Sequence, residues 1–203
     1  MPHWTRMAFD GLTKLNRVQS KVYETALFKS DNVAMLTGSG KTNVAMLTIL
    51  QQMGLHRNED DSFNHSDYKI VYVASMKALA AEVVRNLSNR LTQYGVTVME
   101  LSGDKVLNRQ QIEETQIIVA TPEKWEEKLD NLTYTRLVKL IIIDAVHLLH
   151  DDRRHVLKTI VASTVRQKHI RLVGLSSAIP NSKDVASFLH DDEKKGLFCF
   201  DNS

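Results

Sequence analysis

The chain has 203 residues, 43% of them hydrophobic and 25% charged, which suits one globular domain with a proper core and excludes wholesale disorder. Its formal net charge of +2 excludes a strongly basic, non-specific nucleic-acid binder but leaves room for a local basic groove. No apolar run approaches the roughly 18 residues of a membrane span, the start MPHWTRMAFDGL has no signal-peptide stretch, and the lone Cys199 excludes an internal disulfide, so an intracellular soluble protein is expected.

Taken in chain order, Val18, Val22, Tyr23, Ala26 and Leu27 recur at helical spacing and predict a helix over roughly 17–29. A short apolar stretch, Val33 to Leu36, leads into TGSGKT, and a second helical segment runs on to about Met53. The polar stretch HRNEDDSFNHSD reads as a surface loop, and the β-branched run IVYVA at 70–74 as a strand. Met76, Leu79, Ala80, Val83, Val84, Leu87 and Leu91 then form an i, i+3, i+4, i+7 helical stripe. Short strands are expected at 97–101, 116–120, 140–144 and 171–175. A helix carrying Val156, Leu157, Ile160, Val161 and Val165 precedes the last of them. Unbroken apolar strands alternating with amphipathic helices, without a hairpin signal, imply an α/β, doubly wound fold: a parallel sheet covered by helices on both faces. NVAMLT occurs twice, at 32–37 and 43–48, and is expected as strand in the first copy and helix in the second.

Thr37, Gly38, Ser39, Gly40, Lys41 and Thr42 lie between a predicted strand and a predicted helix, the context of a phosphate-binding loop. Glycines let the backbone turn so that successive N–H groups face phosphate oxygens. Lys41 would reach the β- and γ-phosphates of ATP, and the Thr42 hydroxyl would ligate Mg²⁺. Without a ligand the same residues are a glycine-rich turn. Met35 stands where the loop pattern wants a small residue, and so long a side chain must be housed near the loop's entry. About a hundred residues after Lys41, Asp144 ends the apolar run LIIID, where open α/β sheets place ligand contacts, and can hold Mg²⁺. His147, His150 and His155 in HLLHDDRRH match no common zinc spacing and have no Cys beside them. Solvated or hydrogen-bonded histidines are expected there.

These motifs, in order and over essentially the whole chain, resemble a DExH-box helicase of superfamily two, in particular the large spliceosomal RNA helicases with two tandem cassettes. LNRVQS puts Gln19 in the place of the adenine-reading glutamine, TGSGKT is similar to motif I, and IVYVASMKALAAE to motif Ia. LSGD and IIVATPEKW resemble the motifs that in the family touch the nucleic-acid backbone. The resemblance therefore implies RNA contacts from Gly103, Asp104, Thr121, Pro122 and Lys124; Trp125 is expected in the core. LVGLSSAIPN stands where the family has Ser-Ala-Thr, which assigns Ser176 and Ser177 to the coupling motif.

The resemblance further implies a RecA-like, three-layer domain over 31–190. Residues 1–30 would form a leading segment with its helix, and 191–203 a tail where a second RecA-like domain would begin. ATP and Mg²⁺ are the implied cofactors. RNA is the implied partner, bound through its backbone and without sequence preference, along with spliceosomal proteins or a second RecA-like domain. A nuclear location follows from the resemblance alone. Several positions depart from the family: Met35-Leu36 replace Ala-Pro, Ser75 replaces Pro, Arg154-His155 replace Gly-Pro, and Ala178 replaces the last hydroxyl of Ser-Ala-Thr. Ala145 takes the place of the motif II glutamate that activates the attacking water, so ATP is expected to bind but to be hydrolysed poorly. A non-hydrolysing pseudo-helicase module is the alternative, and a degenerate fragment stays open. A phosphate-loop kinase or GTPase leaves ATPEKW without a role.

Overall fold

The computed structural model describes residues 1–9, 11, 14–36, 40–101, 107–144, 152–176 and 197–199. Seven strands form one sheet: β1 (Val33–Leu36), β2 (Lys69–Ala74), β3 (Val98–Leu101), β4 (Ile117–Ala120), β5 (Val138–Asp144), β6 (Arg171–Ser176) and β7 (Leu197–Cys199). Their order is β3-β4-β2-β5-β6-β1-β7, and every neighbouring pair is parallel. Parallel neighbours need crossovers. These contain the long helices α2 (Lys41–Gly54), α3 (Lys77–Leu91) and α7 (Arg154–Arg166), with α4 (Arg109–Glu114), α5 (Pro122–Glu126) and α6 (Leu132–Thr135) as short pieces, while α1 (Arg17–Phe28) precedes β1.

Alternation along the strands splits the core into two layers. Ile70, Tyr72 and Ala74 of β2, with Leu140 and Ile142 of β5, face α1, α2 and α3. Val71 and Val73, with Ile141 and Ile143, face the layer of α4, α5, α6 and α7. Both faces are covered, so the strands read as continuous apolar runs in the sequence. The helical stripe at 76–91 is α3, whose Ala80, Leu87 and Leu91 are buried. Neither the short helices α4 to α6 nor β7 is anticipated by the sequence pattern. β7 pairs with β1, so the sheet extends into the segment expected as tail.

The leading segment is part of the same body. The 3₁₀ turn His3–Phe9 packs on α3, where the Tyr94 hydroxyl donates to the Trp4 carbonyl at 2.7 Å and accepts from the Ala8 amide at 3.1 Å. Arg171, at the start of β6, is buried and pins α1 and the α1–β1 turn. Its guanidinium donates to the carbonyls of Thr25, Ala26 and Asp31 and to the Gln51 Oε1. Burial lowers its pKa to about 10.

Met35 is fully buried among α1 and α2 side chains, and β1 keeps unbroken register with β6 from Val33↔Val173 to Leu36↔Ser176. The long side chain is thus absorbed by the core rather than by a shifted strand. Met35→Ala, which restores the residue implied by the helicase resemblance, should therefore destabilise the fold by about 2–3 kcal/mol through the cavity it leaves. Urea denaturation of both proteins measures this, and a stabilised Ala variant would show that Met35 strains the strand.

Candidate nucleotide and nucleic-acid site

The strands β1, β2, β4, β5 and β6 all end at one edge of the sheet, and the predicted site residues that the structure describes gather there. Gly40 is the N-cap of α2 with φ +83°, a left-handed conformation that only glycine adopts without strain. An added Cβ would meet the Asn16 Nδ2 at 3.1 Å and the Gln19 Nε2 at 3.3 Å, so the entry to α2 is closely packed by the start of α1. Gln19 itself is buried and closes a capping box. Its Oε1 accepts from the Asn16 amide at 3.0 Å, while the Asn16 Oδ1 accepts from the Gln19 amide at 2.8 Å. The glutamine implied to read adenine thus also holds α1 against the phosphate-loop helix. Thr37, Gly38 and Ser39 lie outside the described residues.

Lys41 and Asp144 meet across the edge, Nζ to Oδ1 at 3.7 Å, both about one-quarter exposed. The second carboxylate oxygen is held from below, where the Tyr72 hydroxyl donates to Oδ2 at 2.8 Å. Tyr72 lies in β2 opposite Ile142, two residues before the Ala74↔Asp144 pair, so its ring rises on the same face as the carboxylate. Burial, then the Asp144 charge and hydrogen bond, push its phenol well above the usual range, so it stays a donor. Tyr72 is the site residue that the sequence pattern misses. The only signal for it was parity with Asp144, which depends on a register invisible in the sequence. Thr42, Tyr72 and Asp144 line one cavity of about 120 Å³ between α2 and α3, closed on the other side by Glu82, Val83 and Asn86.

At the neighbouring strand ends, Thr121 is the N-cap of α5, with Pro122 as its first residue and Trp125 buried beneath. Trp125 is core, as expected, though its Nε1 has no partner among the described residues. Lys124 is held by Glu127, its Nζ donating to both carboxylate oxygens at 2.7 and 3.1 Å. That bond keeps the Glu127 carboxyl below its ordinary range. Ser176 ends β6, buried, opposite Leu36. Arg153 reaches from the turn before α7 to the Ser75 carbonyl at 2.8 Å, tying that turn to the end of β2. His155 bonds the Asp152 carbonyl through Nδ1, and no metal-binding group of His, Cys, Asp or Glu occurs among the described residues. Among them, too, no helix is long and apolar enough to cross a membrane. Gly103, Asp104, Ala145, His147, His150 and Ser177 lie outside the described residues.

By fold, this is a RecA-like helicase module. The DEAD-box helicase Mss116 bound to ssRNA and UDP-BeF superposes with a TM-score of 0.76 at 22% identity, over 99% of this chain and 43% of that one. Residues 16–186 match the DEAD/DEAH box helicase family, and the chain belongs to it. It is similar to the DExH-box ATP-dependent RNA helicase DExH12 of Arabidopsis thaliana, 62% identical over 213 aligned residues. It is also similar to the pre-mRNA-splicing factor brr2 of Schizosaccharomyces pombe, at 52%. Each alignment covers the whole chain but only 10% of the relative, so the chain spans about a tenth of their length.

The Tyr72–Asp144 bond is open to a double-mutant test. Tyr72→Phe and Asp144→Ala, made singly and together, should show a coupling of about 1–2 kcal/mol in urea denaturation, because the hydrogen bond to a charged group is lost in each. Additive losses would mean that phenol and carboxylate act separately.

Proposed function

We propose that the chain is the ATP- and RNA-binding first RecA-like domain of a spliceosomal-type, DExH-box ATP-dependent RNA helicase, impaired in hydrolysis by Ala145. The observation that supports this best is the meeting of Lys41, Thr42 and Asp144 at the end of β5, beside a glycine-capped α2. The donor set fits Mg·ATP: an ammonium for phosphate oxygens, hydroxyl and carboxylate oxygens for a hard cation, and amides at a helix N-terminus for negative charge. Bound Mg²⁺ would neutralise phosphate charge, held by Thr42 and Asp144. Gln19 would contact adenine, with Thr37, Gly38, Ser39 and Gly40 around the phosphates. Tyr72 would fix one carboxylate oxygen so that the other faces the site.

Ala145 lacks the carboxylate that orients water in the family, and a positioned general base contributes roughly 10²–10⁴ in rate. A second RecA-like domain would bring an arginine worth about 10³–10⁵ in related phosphoryl-transfer enzymes. Binding needs neither group. A non-hydrolysing binding module is the second reading, favoured by Ala145 itself. RNA would be met through its backbone by Thr121, Pro122 and Lys124, with Gly103 and Asp104, and Ser176 with Ser177 would couple the two sites. Spliceosomal proteins as partners rest on the similarity to brr2, named a pre-mRNA-splicing factor, and a nuclear location on the similarity to the U5 small nuclear ribonucleoprotein 200 kDa helicase of Homo sapiens, at 48% identity over the whole chain and 10% of that relative.

Labelled ATP·Mg should bind to the chain and lose most of its affinity in Lys41→Ala. Phosphate release should sit near background, rise modestly in Ala145→Glu, and rise roughly 10²-fold or more in the same variant fused to a second RecA-like domain. Equal hydrolysis by the original and Glu versions would mean that some other residue is the base.

For RNA, Lys124→Ala should weaken all oligonucleotides about equally and reduce the salt slope by about one contact. Glu127→Gln releases Lys124 from its ion pair and should tighten the same oligonucleotides by about two- to fivefold. Fluorescence anisotropy at two salt concentrations reads both effects.

A further inference from the structure

The opposite edge of the sheet carries a second constellation that nucleotide and RNA binding leave unused. Where β5 and β6 begin, a cavity of about 570 Å³ opens between the ends of α2 and α7. Its charged lining is basic: Lys139 at the start of β5, Lys168 in the turn before β6 and Arg171 beneath, with the imidazoles of His169 and His56 beside them. Among the described residues no carboxylate lines it; Asp31 and Asp67 act on Arg171 and His56 from the flanks. Lys139, Lys168 and His169 have no hydrogen-bond or ion-pair partner among the described residues. The Arg171 guanidinium is bonded only to carbonyl and amide oxygens, so its charge is solvated by dipoles and not cancelled by a bonded anion. Positive charge gathered over a low-dielectric wall focuses potential into the cavity.

The rest of the lining is mixed: Ser, Asn, Thr and Gln side chains make its polar part, and Leu55, Val165, Ile170 and Leu172 form the apolar part. Leu55 is 62% exposed at the end of α2, and Val165 and Ile170 face the same space. This mixture decides between anions. A free phosphate would use the cations and leave Leu55 in water. The bases of a single strand would meet no stacking platform here, because no Phe, Tyr or Trp among the described residues lines the cavity. A peptide with carboxylates on either side of a bulky apolar side chain uses both parts, the carboxylates on Lys139, Lys168 and His169 and the apolar group on Leu55 and Ile170.

We propose that this edge is a docking site for such an acidic–apolar peptide segment of a partner protein. It lies at the strand starts, whereas Lys41, Asp144 and Thr121 lie at the strand ends, so peptide, nucleotide and RNA can be held at once. α2, from Lys41 to the Leu55 cap, and β5, with Lys139 at its start and Asp144 at its end, run between the two sites.

The probe is a fluorescein-labelled 12-residue peptide with a Leu-Phe pair flanked by glutamates and aspartates, titrated into the full 203-residue chain. Binding should weaken by about tenfold or more in the Lys139→Glu, Lys168→Glu double variant and by a few-fold in Leu55→Ser, and it should fall with salt. Both lysines reach solvent, so folding should survive, and an unchanged melting curve with unchanged ATP affinity confirms it. A basic peptide of the same apolar pair should not bind. Absence of binding at millimolar peptide overturns the proposal, as does affinity indifferent to the double variant. An oligouridylate that binds more tightly than the peptide and loses that affinity in the double variant would assign the edge to nucleic acid instead, and the docking proposal would fall.

Discussion

Nearly everything in this domain follows from a sheet buried on both faces. In β5, Leu140 to Ile143 are inaccessible to water, and only Lys139 and Asp144, at the two ends of that run, reach it. A charge inside the run would cost several kcal/mol unless paired, so chemistry is driven to the strand ends. Crossover helices then fix which end does what. α2 begins beside the end of β5, placing Lys41 and its N-terminal amides against Asp144, and it finishes near the start of β5, where Lys139 stands. Residues of opposite charge, at opposite edges, are thus set by one strand and one helix. The run between them, about 16 Å long at strand rise, keeps the two sites electrostatically separate at physiological salt.

Much of this is legible in the sequence, because burial on both faces gives continuous apolar runs. β2, β5 and β6 and the stripe of α3 fall where periodicity puts them. NVAMLT shows the limit. In the first copy Val33–Leu36 are strand β1, and in the second all six residues lie in α2. Propensity cannot separate them, so context does. The strand of the first copy follows the bend at Asp31 and lies between β6 and β7, with the Asn32 Oδ1 accepting from the Leu172 amide. The second follows Gly40, whose left-handed conformation starts a helix, and from Val44 to Thr48 its side chains are buried all round. β7 is the opposite case: three residues carry too little pattern to be seen, and only the exposed edge of β1 makes a strand of them.

The candidate site divides in the same way. Lys41, Thr42 and Asp144 are found from local pattern because each sits at a fixed place on its own element, and the fold brings them together. Gln19 is found by its block, yet its structural work in the capping box comes from Asn16, which the pattern did not weigh. Tyr72 is invisible because an apolar strand gives no reason to single out one ring. Registers between strands far apart in sequence create such partners.

The Lys41–Asp144 pair bears on how readily nucleotide can enter. At 3.7 Å and about one-quarter exposed on each side, it is a loose contact, of the kind that contributes less than about 1 kcal/mol. Exchanging it for phosphate and metal contacts therefore costs little, and cannot reduce nucleotide affinity by more than about fivefold. Tyr72 does not have to move in that exchange, since it holds the oxygen that Lys41 does not use. Half of the site is thus ordered before any ligand arrives, and the other half is a weak ion pair that a stronger anion can displace. On the proposed function, such an arrangement would retain nucleotide binding without a catalytic carboxylate, because Lys41, Asp144 and Tyr72 are held by one another. Recognition and hydrolysis would then be separable for a physical reason: the first would use residues fixed by the sheet, and the second a carboxylate that the sequence lacks at Ala145.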